Sequence, residues 1–305
     1  MALPTDGPPA GVLLVDKPAG PTSHDVVARA RKALGVRRVG HAGTLDPFAT
    51  GLLLLCVGPA TRLVRYLHLL DKRYAATLRL GQETSTHDPE GEPVARSEAW
   101  RDVDAGRLRE VLRAFEGEIE QVPPVYSAVR VGGARAHRLA RSGTDVELEA
   151  RPARVASLRL ASFQPPDAEV EAVVGTGTYV RALARDVGRA LGCGAHLVAL
   201  RRTAIGPFEV ADALPLESLR RLDSGEVTAS PSWCPPARAL DWLPSRELSA
   251  GELERVRHGA AIPAGGAEYE GTPDRPVALL AGGELVAVAE AAGGNLQPRT
   301  VLPDA

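Results

Sequence analysis

The sequence predicts an α+β fold: a mixed, mostly antiparallel sheet with flanking helices, followed by a small β-rich C-terminal module. Two observations carry this reading. Strand-like runs alternate with amphipathic helical runs, but without strict strand–helix–strand repetition. Beyond a Pro-rich stretch, the last fifth of the chain turns Gly-rich with short alternating runs such as PVALLAGG and LVAVAEA, the pattern of a small β-barrel or sandwich. At 305 residues the chain is long enough for one large or two ordinary domains.

Taken in order, residues 1–10 (MALPTDGPPA) form a flexible tail. Val12 to Val15 is a buried strand, broken by Pro18, Gly20 and Pro21. Ser23 then caps a helix that stops at Gly35. GHAGTLDPFATG follows and runs into LLLLCVG, a buried strand by length and flanking glycines. Gly58-Pro59 opens a helix with Leu63, Tyr66, Leu67 and Leu70 on one face. KRYAATLRLG alternates as a strand, QETSTHDPEGEP is a polar turn, and DAGRLREVLRAFEG is a helix burying Leu108, Val111, Leu112 and Phe115. Pro123-Pro124 keeps VPPVYSAVRVGG extended. ARAHRLARSG is a short helix, and RVASLRLASF is a strand. AEVEAVVGTGTYVRALARDVGRALGCG is strand, Gly-Thr turn and helix, and HLVALRRTAIGPF is a strand. Pro231, Pro235, Pro236 and Pro244 mark a linker over 231–244. The expected boundaries are a catalytic domain over 11–230 and the small module over 245–305.

Composition excludes several classes. The chain is 44% hydrophobic and 24% charged, as globular proteins are. It has no apolar run of membrane-spanning length, and its N-terminus lacks the basic and apolar regions of a signal peptide. Cys56, Cys193 and Cys234 are odd in number and widely spaced, which suits a reducing cytoplasm rather than a disulfide framework or a metal knuckle. The 7 histidines include no HExxH, so no metal site is expected. Net charge is −2 but unevenly spread: +6 over residues 1–80, −6 over 81–120, +4 over 121–210 and −6 over 211–305. Two basic segments can fold into a basic face on a nearly neutral protein, and salt-bridged surface accounts for them equally well.

The chemical candidates each have a bland reading beside the reactive one. Asp46-Pro47 suits an N-cap followed by the first helical position. The glycines around it and the adjoining apolar strand equally suit a reactive carboxylate, which then needs a cation to stay ionised. Arg181, just after a glycine turn, can supply that cation or pair locally. GTGT is no dinucleotide fingerprint, since position 180 is Val. Tyr74 shares a face with Ala76, Leu78 and Leu80, as a core tyrosine or as a platform for a base. His41 lies between Gly40 and Gly43 and is free to project. Lys17 can meet phosphate or pair with an acid such as Asp16. There is no GxSxG elbow and no Walker A loop.

LLVDKPAGPTSHDVV, GHAGTLDPFATGLL, DKRYAATLRLG, VPPVYSAVR, GTYVRALARDVG and HLVALRRTAIGPF occur in this order. Together they resemble the TruB family of bacterial tRNA pseudouridine synthases, closely over Gly11 to Phe208 and more weakly through a C-terminal part similar to a PUA-type RNA-binding domain. The resemblance implies a pseudouridine-synthase-type sheet and isomerisation of uridine 55 in the T loop of tRNA. It implies Asp46 as the catalytic aspartate, Arg181 as its partner, and Tyr74 as the residue that stacks on the target base and accepts the C5 proton. His41 would help replace the flipped base, Leu200 would line the pocket, and Tyr179 would contact substrate. Lys17 falls with these substrate contacts, or with Pro18 as structural support. Arg130 and His137 depart from the family pattern, which has Lys and commonly Tyr there.

The implied reaction breaks N1–C1′, turns the uracil and rejoins it through C5. It involves no redox change and no net hydrolysis, so no cofactor is expected. The implied partner is the tRNA T-arm stem-loop, bound by a monomer with no membrane contact. A non-catalytic tRNA-binding or tRNA-folding protein on the same fold is the alternative. An aspartate-nucleophile hydrolase would want a second acid that TLDPFATG lacks.

Overall fold

The computed structural model describes residues 9–127, 129–131, 134–136, 148–221, 223–265 and 276–303. Most of the short helix expected in ARAHRLARSG, including His137, falls outside these residues, as does the side chain of Arg130. The chain is α+β and forms two compact units. The first comprises residues 1–46, 52–68 and 207–305, and the second residues 47–51 and 69–206.

In the first unit the strand Gly11–Lys17 lies next to Thr50–Val57, with Leu214–Pro215 parallel on its other side. Residues Leu52 to Val57 are all fully buried, each leucine removing a side chain worth about 1.5–3 kcal/mol from water. The helix Ser23–Leu34 covers this layer with Val26, Val27, Ala30 and Leu34. Its N-cap is Thr22 rather than Ser23: the Thr22 hydroxyl accepts from the Asp25 amide, and the Asp25 carboxylate accepts in return from the Thr22 amide. Gly35 ends the helix at φ 66°.

The helix expected after Gly58-Pro59 is mostly a 3₁₀ run, Gly58–Leu63, with only Val64–Leu67 α-helical. Val57 offers no capping side chain there, and four helical residues are too few to sustain an α-helix alone. The apolar face is nonetheless as expected, with Leu63, Tyr66, Leu67 and Leu70 buried.

The Pro-rich stretch is more ordered than a linker. Trp233–Cys234 pairs antiparallel with the first strand, and the Trp233 ring enters the core. A Cβ on Gly11 would lie 2.3 Å from that ring, so glycine makes room for it. The β-rich C-terminal module is a five-stranded sheet: Ser245–Glu247, Pro276–Ala281, Glu284–Ala292, Asn295–Val301 and Ile262–Pro263, in that order. The helix Ala250–Arg257 packs on it. The Tyr66 and Thr300 hydroxyls, 2.9 Å apart, join this sheet to the rest of the first unit.

The second unit is built on an antiparallel sheet. Its order is Ala195–Ile205, Lys72–Leu80, Asp167–Val174, Arg151–Gln164 and Gly117–Gln121. Thr50 and Gly51 join in parallel beside Arg201 and Arg202. The helices Ala105–Ala114 and Val180–Ala190 belong to this unit. The expected polar turn after Leu80 is a small hairpin, Gln82–Thr84 with Pro93–Arg96, whose connecting loop buries Asp88.

All three cysteines are buried and free of disulfides, and burial alone pushes the Cys56 thiol up to about 12. Among the described residues no helix is long and apolar enough to cross a membrane.

Candidate active site

Asp46 caps no helix. It sits half-buried in the loop between the strands Val39–His41 and Thr50–Val57, and the residues after it run directly into the second strand. The cap reading of Asp46-Pro47 is therefore overturned. The loop is held from outside. Ser23 Oγ accepts from the Leu45 amide at 2.8 Å and donates to the Leu45 carbonyl at 3.0 Å. Both partners are buried, so one hydroxyl satisfies both backbone groups of the residue preceding Asp46. The Ala42 amide donates to Leu54 at 2.9 Å, and Gly43 turns the loop at φ 99°.

His41 ends its short strand opposite Leu55 and is half-buried. Lys17 is wholly buried, and its Nζ donates to the carbonyls of Pro18 at 3.0 Å and Pro21 at 2.9 Å. That geometry braces the turn after the first strand. It does not present an ammonium to phosphate, so the placing of Lys17 among substrate contacts is corrected to structural support.

In the second unit the sheet puts four residues on one face. Ala76 opposes Leu200, and Tyr74 opposes Arg202, on adjacent antiparallel strands. Opposed residues share a face, as do residues two apart on one strand. Tyr74 is half-buried, as its alternation with Ala76, Leu78 and Leu80 implies. Leu200 is 7% exposed beside it. The fold thus unites Tyr74 and Leu200 into an aromatic and apolar patch, and adds Arg202.

Arg181 is on a separate element of that unit, at the start of the helix Val180–Ala190. It does not snorkel. It is 5% exposed, and its Nη1 donates to Asp88 Oδ2 and to the Thr86 carbonyl, both at 3.1 Å. Its Nη2 donates to the Tyr126 carbonyl at 2.8 Å. Asp88 is 2% exposed, and it also accepts from Thr86 Oγ1 and the Glu90 amide. His87 turns this loop inward from the left-handed region, at φ 61°, a conformation costing about 1 kcal/mol or more for a non-glycine residue. Burial, then the charges of Arg185, Arg181 and Arg189, hold its imidazole down at about 4, so it is neutral at pH 7. Tyr179 is the N-cap residue of the same helix. Buried Gln121 clamps its backbone, accepting from its amide at 2.8 Å and donating to its carbonyl at 3.2 Å.

Ser23, Asp88, Gln121 and Arg202 escape the sequence reading. Ser23 looks like a cap, and Asp88 is one of several acids in an exposed-looking turn. Only Arg202 had a usable signal, since alternation places it on the face of Leu200.

Two family models match the chain: the N-terminal domain of TruB family pseudouridylate synthase over residues 31–180, and the C-terminal domain of tRNA pseudouridylate synthase B over 181–231. The tRNA pseudouridine synthase B of Thermobifida fusca is 48% identical over 301 residues, covering 96% of this chain and 98% of that one. The tRNA pseudouridine synthase B of an Arthrobacter species is 45% identical over 304 residues, covering 96% of each. The fold is also similar to solved structures. A chain of a Cbf5-Nop10-Gar1 complex gives a TM-score of 0.73 at 29% identity, covering 96% of this chain and 85% of that one. A chain of an H/ACA RNP bound to a substrate RNA containing 2′-deoxyuridine gives 0.72 at 26% identity, with the same coverage. Matched by both family models and by relatives along nearly its whole length, the chain belongs to the TruB family of pseudouridylate synthases.

Proposed function

We propose that this protein isomerises uridine to pseudouridine in tRNA, at position 55 of the T loop. The observation that carries the reading is the state of Asp46. Its loop caps no helix, and a buried hydroxyl fixes the backbone immediately before it, as a carboxylate held for chemistry requires. Family membership and the Tyr74–Leu200 patch support the same reading.

The target uridine leaves the loop stack at a cost of a few kcal/mol. Stacking on an aromatic face is worth about 1–3 kcal/mol per base and offsets much of that. In the proposed reaction Asp46, as the anion, drives cleavage of N1–C1′, and the bonding pair leaves with the uracil. The ring turns, C5 bonds to C1′, and the C5 proton departs as N1 gains one. Atoms balance without oxidant, reductant or hydrolysis. Arg181, braced by Asp88, Thr86 and Tyr126, is the cation we assign to Asp46, and it favours the ionised carboxylate. His41, Leu200 and Tyr179 are assigned to the flipped nucleotide and its loop. We propose that the protein acts as a cytoplasmic monomer and that its C-terminal sheet is a PUA-like RNA-binding domain. Basic side chains hold the tRNA by its phosphates, so binding weakens as salt rises.

Asp46→Asn tests the assignment. The variant is expected to bind T-arm RNA with unchanged affinity and to form no pseudouridine; normal turnover would remove Asp46 from the chemistry.

A further inference from the structure

Beside Tyr74 stands a cation to which the family resemblance gives no role. Arg202 is among the largest wholly buried side chains, 1% exposed, and burying a guanidinium is costly unless its charge is used. The sheet holds it from two sides, in register between Gly51 on one neighbouring strand and Tyr74 on the other. Its Nη1 donates to the Tyr74 hydroxyl oxygen at 3.4 Å. On the opposite side, Gly51 adopts φ +102°, and a Cβ there would fall 2.2 Å from the Arg202 carbonyl oxygen. Only glycine lets the two backbones approach this closely. The ladder shifts register directly after Arg202, between Arg202 and Ala204. Such irregularities re-aim side chains and recur beside active sites. Lys72, two residues before Tyr74 and on its face, is buried as well, and its Nζ donates to Thr176 Oγ1 at 2.9 Å. Burial, then the charge of Arg202, holds the Lys72 amine down at about 8. The phenol oxygen therefore has a fixed guanidinium N–H aimed at it in a sheet face where water is scarce.

We propose, resting on the uridine-isomerisation reading, that Arg202 is a positioning residue for Tyr74. Its donated N–H orients the phenol oxygen and stabilises the negative charge that develops there as the phenol gives up its own proton and takes the one from C5. In that step the C5–H bond breaks and its electron pair re-forms the C5=C6 double bond. N1 takes a proton from water, and the tyrosine oxygen, its own proton released to solvent, accepts the proton from C5. A preset donor aimed at an oxygen whose charge changes in the reaction stabilises the transition state without reorganising.

A double-mutant cycle on the full chain tests this, with a tRNA transcript as substrate and single-turnover pseudouridine formation as readout. Arg202→Met is expected to slow the step about ten- to a hundredfold with the tRNA Kd unchanged, and Arg202→Lys to restore part of the loss. In a Tyr74→Phe background, where the oxygen is gone, Arg202→Met is expected to cost less than about threefold. Additive losses across the cycle, or a loss confined to tRNA affinity, would overturn the proposal. If Arg202→Met does not fold, Arg202→Lys carries the same cycle. The unaltered protein and Asp46→Asn, run alongside, separate the two levels. No pseudouridine from the unaltered protein sinks the isomerase reading itself and turnover in Asp46→Asn removes only Asp46 from the chemistry, whereas an active unaltered protein beside an additive cycle sinks only the role of Arg202.

Discussion

The Asp46 loop hangs on one hydroxyl, and removing it is a sharp test of how the loop is held. In Ser23→Ala the Leu45 amide and carbonyl lose the partner that bonds them at 2.8 and 3.0 Å. Ser23 is 2% exposed and Leu45 3%, so water cannot replace the hydroxyl without opening the packing. Each net hydrogen bond is worth about 1 kcal/mol, and a buried group left unpaired adds about 1–3 kcal/mol. With two buried groups left unpaired the expected loss of stability is about 2–6 kcal/mol, read as a lower urea midpoint at constant slope. The helix itself should survive, because its cap is Thr22 with Asp25, not Ser23. Single-turnover pseudouridine formation should fall by more than the tRNA affinity, since the carboxylate loses its fixed approach while the RNA-binding surface is untouched. A stability change under about 0.5 kcal/mol with unaltered turnover would refute the reasoning.

Three further outcomes follow from the same geometry. Asp88→Asn removes the charge from a pair whose side chains are 6% and 3% exposed, and should cost about 1.5–3 kcal/mol by weakening a buried charge-assisted hydrogen bond; denaturant unfolding and turnover measured together would check it. Gly51→Ala forces a Cβ against the Arg202 carbonyl at φ +102°. It should destabilise by more than about 2 kcal/mol, seen as a lowered Tm. Lys72 is held at about 8 against an ordinary 10.5, so between these values the folded chain binds fewer protons than the unfolded one. Stability should therefore rise with pH across that window, and a pH series of urea midpoints should lose this rise in Lys72→Met.

What the sequence discloses here follows its physics. LLLLCVG reads as a buried strand because apolar length and flanking glycines leave little else, and Leu52 to Val57 are indeed fully buried. Tyr74 faces inward as strict alternation requires. Asp46-Pro47 misleads, because a good N-cap dipeptide says nothing of whether a helix follows, and the neighbouring strand captures the chain first. Ser23 misleads in the same way: the Thr22–Asp25 box takes the cap and releases its hydroxyl for Leu45. Asp88 is hidden because polarity signals a surface turn on average, whereas a buried carboxylate with an arginine partner has the same letters. Trp233 lies among prolines that suggest a linker, and only pairing with the first strand reveals its place in the core.

Asp46 is the residue on which the proposed uridine isomerisation turns. The most direct measurement is to map pseudouridine in an unmodified tRNA transcript after incubation with purified protein, with no cofactor added and a chelator present. The unaltered protein is expected to give a single pseudouridine, in the T loop at position 55, and Asp46→Asn none. No pseudouridine from the unaltered protein, or the same product from the Asp46→Asn variant, would contradict that expectation.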